Sequence, residues 1–357
     1  MISILFKVFF YMYDIIIMSN NLPTKTLVII LSETRANELT FKSIKKNVID
    51  ELNADLCICI GITKDYDYNN EFYKLAKYKF LYDEPDDFGD AFEYAYQEIC
   101  KKDIKILQDQ DHLHWRNFLK IKDQFLGGIK DEYYQHPGSA GILIFFRWFL
   151  MQKILENNLL EMYNRFIITR SDYIWLLPHP KIELLSENNI WIPNSEDYGG
   201  VTDRHVVLSK SNIISYLNIL DNFVIKSADY YNKLKYNMDW NLEKIIRFHL
   251  HQEGIFYKVL RFPYIMYTVR AVGGTTRWSA GTFSEEHQYY IKYGSEYYAS
   301  NYYKNKFNGF KNNIFYKLYY FFFENGTRLK DFYKKEISNI NDDIHNYSFF
   351  CNYLSLK

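Results

Sequence analysis

Two uninterrupted apolar runs with a helical repeat between them constrain this chain more than any other feature. Leu27-Val-Ile-Ile-Leu31 and Leu56-Cys-Ile-Cys-Ile-Gly-Ile62 are short and do not alternate with polar residues, so each reads as a strand buried on both faces. Between them Phe41, Ile44, Val48 and Leu52 recur every three or four residues, which makes one apolar stripe on a helix. Strand, helix and strand over about 35 residues form a βαβ unit, whose crossover sets the two strands parallel. Within the second run Cys57 and Cys59 lie two apart, on the same face of a strand. Buried thiols fit that placement better than a metal site, and the four cysteines form no disulfide framework, which favours a reducing compartment.

Downstream the pattern stays α/β. Helices are expected over Ala91–Cys100, Gly141–Leu159, Asn212–Asp221 and Met238–Gln252. Strands are expected at Phe166–Ile168, Ile190–Pro193, His205–Leu208, Ile255–Phe262 and Ile265–Val269. Residues 65–137 resist assignment: 66–82 are polar and aromatic, and Glu84–Gly89 reads as a loop. Three segments follow. Residues 1–24 are an apolar extension, in which Lys7 and Asp14 interrupt a run short for a membrane span. No small-residue cleavage site follows it, and Met18 looks the more natural start, with a membrane anchor as the second reading. Residues 25–285 are the main domain, and 286–357, rich in Tyr, Lys and Asn, read as a helical C-terminal extension.

The 43 acidic and 43 basic residues cancel, so no global field points to nucleic acid or an anionic membrane. The cytoplasm is the expected location, that of a virus-infected host included. The 34 Tyr and 28 Phe accompany abundant Asn, Lys and Ile, the composition of an AT-biased genome. Aromatic clusters therefore carry little weight as sugar-stacking platforms.

The chemistry concentrates in a few places. Arg165-Phe-Ile-Ile-Thr-Arg-Ser-Asp172 delivers Arg170, Ser171 and Asp172 at the C-terminal end of a strand, where open α/β sheets bind ligands. A carboxylate there suits Mg²⁺ or Mn²⁺, and a guanidinium suits phosphate; the other reading is a salt bridge at a strand end. Ser32-Glu-Thr-Arg35 occupies the first βα loop, a usual nucleotide position, although it lacks a glycine-rich pattern and reads equally as a helix cap. Tyr198-Gly-Gly-Val-Thr-Asp-Arg204 offers a turn through Gly199 and Gly200, with Asp203 as a base candidate, Arg204 beside it, and Glu196 and Asp197 as competitors. A hairpin with a structural Asp–Arg pair is its alternative. Asp109-Gln-Asp111, with His112 and His114 nearby, has metal-like spacing but follows a short, interrupted apolar run. His251 is a third-ligand candidate, and Trp240, Arg270 and Arg277 are further cleft candidates.

As a set, Ser32-Glu-Thr-Arg35, Phe166-Ile-Ile-Thr-Arg-Ser-Asp172, Trp191-Ile-Pro193 and Tyr198–Arg204 resemble nucleotide-sugar glycosyltransferases of the GT-A fold, particularly the viral or capsule-type branch. The resemblance spans roughly 25–285 and implies a Rossmann-like, mixed, mainly parallel sheet flanked by helices. It implies transfer of a sugar from a UDP- or GDP-sugar to a glycan or protein-linked acceptor, with Mn²⁺ or Mg²⁺ on the diphosphate. By that resemblance Asp172, with His251, would hold the metal. Thr34, Arg35, Arg170, Ser171, Gly199, Gly200 and Arg204 would contact donor or acceptor, and Asp203 or Asp197 would serve as base. Arg170 stands where the family's metal motif has its first Asp, so a catalytically silent, glycan-binding or assembly protein is the alternative.

Overall fold

The computed structural model describes residues 25–312, apart from 118, 122, 133–137, 195, 237–240 and 275–278. The N-terminal extension, Cys351, Trp240, Arg277 and most of the expected C-terminal extension lie outside the described residues.

Strand β1 (Thr26–Ser32) leads into α1 (Asn37–Ile44), which a π turn prolongs through Lys45–Asp50, and then into β2 (Asp55–Ile62). Helix α2 (Glu71–Leu75), β3 (Tyr78–Asp83), α3 (Phe88–Lys102), α4 (Lys105–Gln108) and a hairpin of β4 (Lys120–Ile121) and β5 (Gln124–Phe125) follow. Next come α5 (Ala140–Glu156), α6 (Leu159–Met162), β6 (Arg165–Thr169), β7 (Tyr173–Trp175), β8 (Ile190–Pro193) and β9 (His205–Ser209). The chain closes with α7 (Ile213–Leu217), α8 (Ile219–Ile225), α9 (Ser227–Leu234), α10 (Leu242–Gln252), β10 (Val259–Phe262), β11 (Met266–Arg270), β12 (Thr282–Ser284), β13 (Tyr289–Ile291) and α11 (Gly294–Asn312).

Seven strands form the main sheet in the order β10-β8-β9-β6-β1-β2-β3. All adjacent pairs are parallel except those of β9, which runs antiparallel to both β6 and β8. This is the mixed, mainly parallel, helix-flanked sheet of a GT-A-like Rossmann fold, as expected. The βαβ unit stands as read, with Val28 beside Leu56 and Ile30 beside Ile58. A second, antiparallel sheet, β12-β13-β11-β7, was not anticipated: β11 falls on the strand expected at Ile265–Val269, but β7, β12 and β13 have three residues each, too short to show a period. One of them, β13, falls where only helix was expected.

Alternation along β1 and β2 splits the core in two. Leu27, Ile29, Cys57 and Cys59 face α3 and α5, while Val28, Ile30, Leu56 and Ile58 face α1 and β7. The buried-thiol reading therefore holds: Cys57, Cys59 and Cys100 are free and buried, and burial pushes the Cys57 thiol well up. Helix α5 is apolar almost all round because it lies under the sheet and is covered by α3 and α8. Truncating a core member such as Ile29 or Phe145, both fully buried, costs about 2–5 kcal/mol. No helix among the described residues is long and apolar enough to cross a membrane.

What positions the site is the winding. From β1 the chain steps outward to β2 and β3, then returns to place β6 on the other side of β1. The carboxyl ends of β1 and β6 thus diverge into loops at a topological switch point, where a crevice opens.

Candidate functional site

That crevice is lined by Leu31, Ser32, Glu33 and Arg35 after β1, by Ile168 to Asp172 after β6, and by Asp203 and Arg204 ahead of β9. Gly138, Ser139 and Leu143 at the start of α5 and Lys292 after β13 complete it. Because β9 is antiparallel to β6, with Thr169 opposite His205, its beginning lies at the same end of the sheet as the end of β6. Ser32 closes β1 with φ 79°, a left-handed conformation that turns the chain across the mouth of the crevice. The amino end of the 17-residue helix α5 adds its positive partial charge.

Asp172 is the electrostatic centre. It is 1% exposed, and Arg170 donates to both its oxygens, Nε to Oδ1 at 2.9 Å and the guanidinium NH2 to Oδ2 at 2.8 Å. Arg270, also buried, donates to Oδ2 as well. Burial alone would raise the carboxyl's pKa, but the Arg170 and Arg270 guanidinium groups hold it well below the usual carboxylate range. The loop itself is pinned: Ser171 Oγ donates to the carbonyls of Glu33 (3.0 Å) and Arg35 (3.1 Å). Thr40 Oγ1 donates to the Ser171 carbonyl at 2.6 Å, and the Val269 N–H to that of Asp172 at 2.9 Å. Sequence reading treats this carboxylate as one awaiting a cation. In the fold its two oxygens are taken by guanidinium groups.

The other cations are mostly paired. Arg35 pairs with Glu33, and Arg204 with Glu296 of α11, whose Oε2 also accepts from the Thr268 N–H at 2.9 Å. Arg204 lies over the Tyr293 ring, 4.2 Å from its centroid. Lys292 has no carboxylate within ion-pair distance among the described residues and sits 5.3 Å from the Tyr293 ring centroid. Burial and then the neighbouring Arg270 and Arg170 depress its pKa to about 7. Behind Asp203, whose carbonyl accepts from Arg147 at 3.1 Å, Glu243 is raised to about 7 by burial and by the Asp203 charge.

The fold brings together Arg35, Arg170, Ser171, Asp172, Asp203 and Arg204 of the expected site residues. It separates the others. Thr34 is buried behind the loop, its Oγ1 3.0 Å from the Tyr66 hydroxyl and its carbonyl bonded by Asn70. Asp197 closes its own turn, accepting from the Thr202 N–H at 3.0 Å and pairing with Arg261 at 2.5 Å. Gly199 and Gly200 do not line the crevice but pack on α10: a Cβ on Gly200 would lie 2.0 Å from the Glu243 carbonyl. The Val201 N–H donates to that carbonyl at 3.0 Å. Those glycines serve close packing of backbone on helix.

His251 is exposed and stacks on Phe256 at 4.0 Å. Asp109 and Asp111 are exposed in a loop, where Asp109 Oδ1 accepts the Asp111 N–H at 3.0 Å. Among the described residues no three His, Cys, Asp or Glu side chains are grouped to hold a metal. The residues present do not fit a divalent cation, since both oxygens of Asp172 are bonded by arginine and no further ligand side chains are grouped with it among the described residues. Lys292 and Glu243 had escaped the sequence reading, because neither belongs to a motif. Only the Asn241 cap ahead of α10, accepting from the Lys244 N–H, marks where Glu243 begins a helix.

No family model matches the chain, and no curated protein matches it. Among solved structures, mouse xyloside xylosyltransferase 1 in its apo form matches with a TM-score of 0.33 at 9% identity, covering 67% of this chain and 85% of that one. A likeness that low decides nothing about activity here. The fold class rests on the sheet itself.

Proposed function

We propose that this protein binds a phosphorylated sugar ligand, a UDP- or GDP-sugar or a phosphate-bearing glycan, through arginine and lysine rather than through a metal. On this reading it acts as a GT-A-like glycan-binding or assembly protein in the cytoplasm. The observation that carries it is the Arg170–Asp172–Arg270 cluster, in which the motif carboxylate serves to orient guanidinium groups. Arg170, 24% exposed, keeps part of its fork available to phosphate oxygens, and Arg35, Arg204 and Lys292 surround the same space. Mn²⁺ or Mg²⁺ would enter only by displacing an arginine from Asp172.

A second reading, metal-independent sugar transfer to a glycan acceptor, is favoured by one feature. Burial and the charge of Asp203 raise Glu243 to about 7, and Asp203 lines the cleft, where a base would act on an acceptor hydroxyl.

The experiment is calorimetric titration with UDP- and GDP-sugars, with Mn²⁺ and with a chelator, followed by a donor-hydrolysis assay. Binding that survives the chelator without turnover is expected. Turnover lost in Asp203→Asn establishes the second reading, and strictly Mn²⁺-dependent binding refutes both.

A further inference from the structure

The charges around the cleft nearly cancel. Arg35, Arg170, Arg204, Arg270 and Lys292 contribute five cations; Glu33, Asp172, Asp203 and Glu296 contribute four carboxylates. Each arginine has a carboxylate partner, and among the described residues Lys292 does not. Arg170 and Arg270 share the one carboxylate of Asp172, and Lys292 is the cleft cation with no ion-pair partner among the described residues.

Its position is fixed by backbone. The Lys292 N–H donates to the Thr268 carbonyl at 2.9 Å, and the preceding residues pair Ile291 with Val269 and Tyr290 with Arg270. The side chain then enters the cleft facing Arg270 of β11, Arg170 and Asp172 of the β6–β7 loop, and Arg204 ahead of β9, with Tyr293 and Glu296 on its own side.

On the reading that the cleft binds anions, we infer that Lys292 is its proton-linked element: an arriving anion draws a proton onto the amine, and affinity declines as pH rises. The physical ground is the environment. In the empty cleft the half-buried amine sits among guanidinium groups that resist a further positive charge, so near neutrality it is divided between its two forms. An anion reverses that local field and favours the ammonium. One proton taken up on binding lowers affinity by up to about tenfold for each pH unit above the amine's empty-cleft midpoint. Glu243 acts in the same sense, because its ionisation adds negative charge beside Asp203. It faces Asp203, Arg204 and Arg147, not the amine, so the two contributions separate by substitution.

The test is titration calorimetry of the full chain with sulfate, whose charge is constant from about pH 6 to about pH 9, in buffers of low and high ionisation enthalpy. The expected result is proton uptake on binding and a fall in affinity of more than about tenfold across that range. In Lys292→Arg, where the cation is permanent, affinity should be retained at the upper end and most of the slope should vanish. Lys292→Met should be flat and weak throughout, and Glu243→Gln should keep most of the wild-type slope. Sulfate binding with an unchanged slope in Lys292→Arg overturns the inference and leaves the anion-binding reading standing. No sulfate binding at any pH overturns that reading itself.

Discussion

Replacing Asp172 by Asn keeps the shape of the side chain and removes its charge, which isolates what the carboxylate does. Asp172 and Arg270 are 1% and 2% exposed, and among the described residues Arg270 already has Nε and one terminal nitrogen without partners. Beyond Asp172 its hydrogen-bonded acceptor is its neighbour's carbonyl, Val269 O, at 2.7 Å. The substitution leaves a buried guanidinium without a counter-charge, a change that costs about 3–5 kcal/mol when a buried pair loses one member. In a chain of this size that lowers the midpoint of thermal unfolding by about 5 °C. Arg170→Met should cost less, about 1–3 kcal/mol, because Asp172 keeps Arg270 and the lost partner was partly solvated. Urea unfolding followed by circular dichroism, with and without Mn²⁺, measures both. A loss below about 1 kcal/mol in Asp172→Asn, or a gain in stability, would refute the reasoning. It would mark the carboxylate as strained in the apo protein and held for a cation. Stabilisation of the wild type by Mn²⁺ that disappears in the variant would show the same.

Three further outcomes are expected. Gly200→Ala forces a Cβ into the Glu243 carbonyl and should cost about 1–3 kcal/mol, read as a drop in the urea midpoint; a neutral result would mean that the turn is not clamped on α10. Burial holds His179 and His249 down to about 4 and His205 well below its usual value, so the unfolded chain binds protons that the folded chain refuses. The contribution of these three histidines should be full above about pH 6.5 and fall toward pH 4, by up to about 1.4 kcal/mol per pH unit for each group, and His179→Phe should lessen the fall. Arg204→Met strands the buried Glu296 beneath the cleft. It should weaken both anion binding and stability, the latter by about 3 kcal/mol or more, and equal stability in the variant would remove Arg204 as its partner.

Some of this was legible in the sequence for definite reasons. Strands β1, β2 and β6 are covered on both faces, so each is a continuous apolar run. The edge strand β3 is covered mainly at Phe80, with Tyr78 and Tyr82 half-buried, and its pattern dissolves into the aromatic background. The local charged motifs were visible as well, and the switch-point geometry brings Arg35, Arg170, Asp172, Asp203 and Arg204 to one crevice. Their roles were less visible. Whether Asp172 meets a cation or an arginine depends on Arg270, 98 residues further along the chain. A glycine pair reads alike whether it makes room for a ligand or for a helix, and here it is α10 that needs the space. Lys292 carries no motif; its environment comes from three loops distant in sequence.

The antiparallel pairing of β6 and β9 fixes more than a sheet neighbour. In that register the two residue numbers of every pair share one sum, from Arg165 with Ser209 to Thr169 with His205. Continued one step beyond the strand ends, the rule sets Arg170 opposite Arg204, like charges that repel one another. The facing of the two arginines thus follows from the register of Phe166 and Ile168 with Leu208 and Val206 in the core. A one-residue deletion in either strand would exchange the residues facing the two halves of the core and take the two arginines out of register. The placing of arginines across the cleft is in that sense a property inherited from its hydrophobic interior.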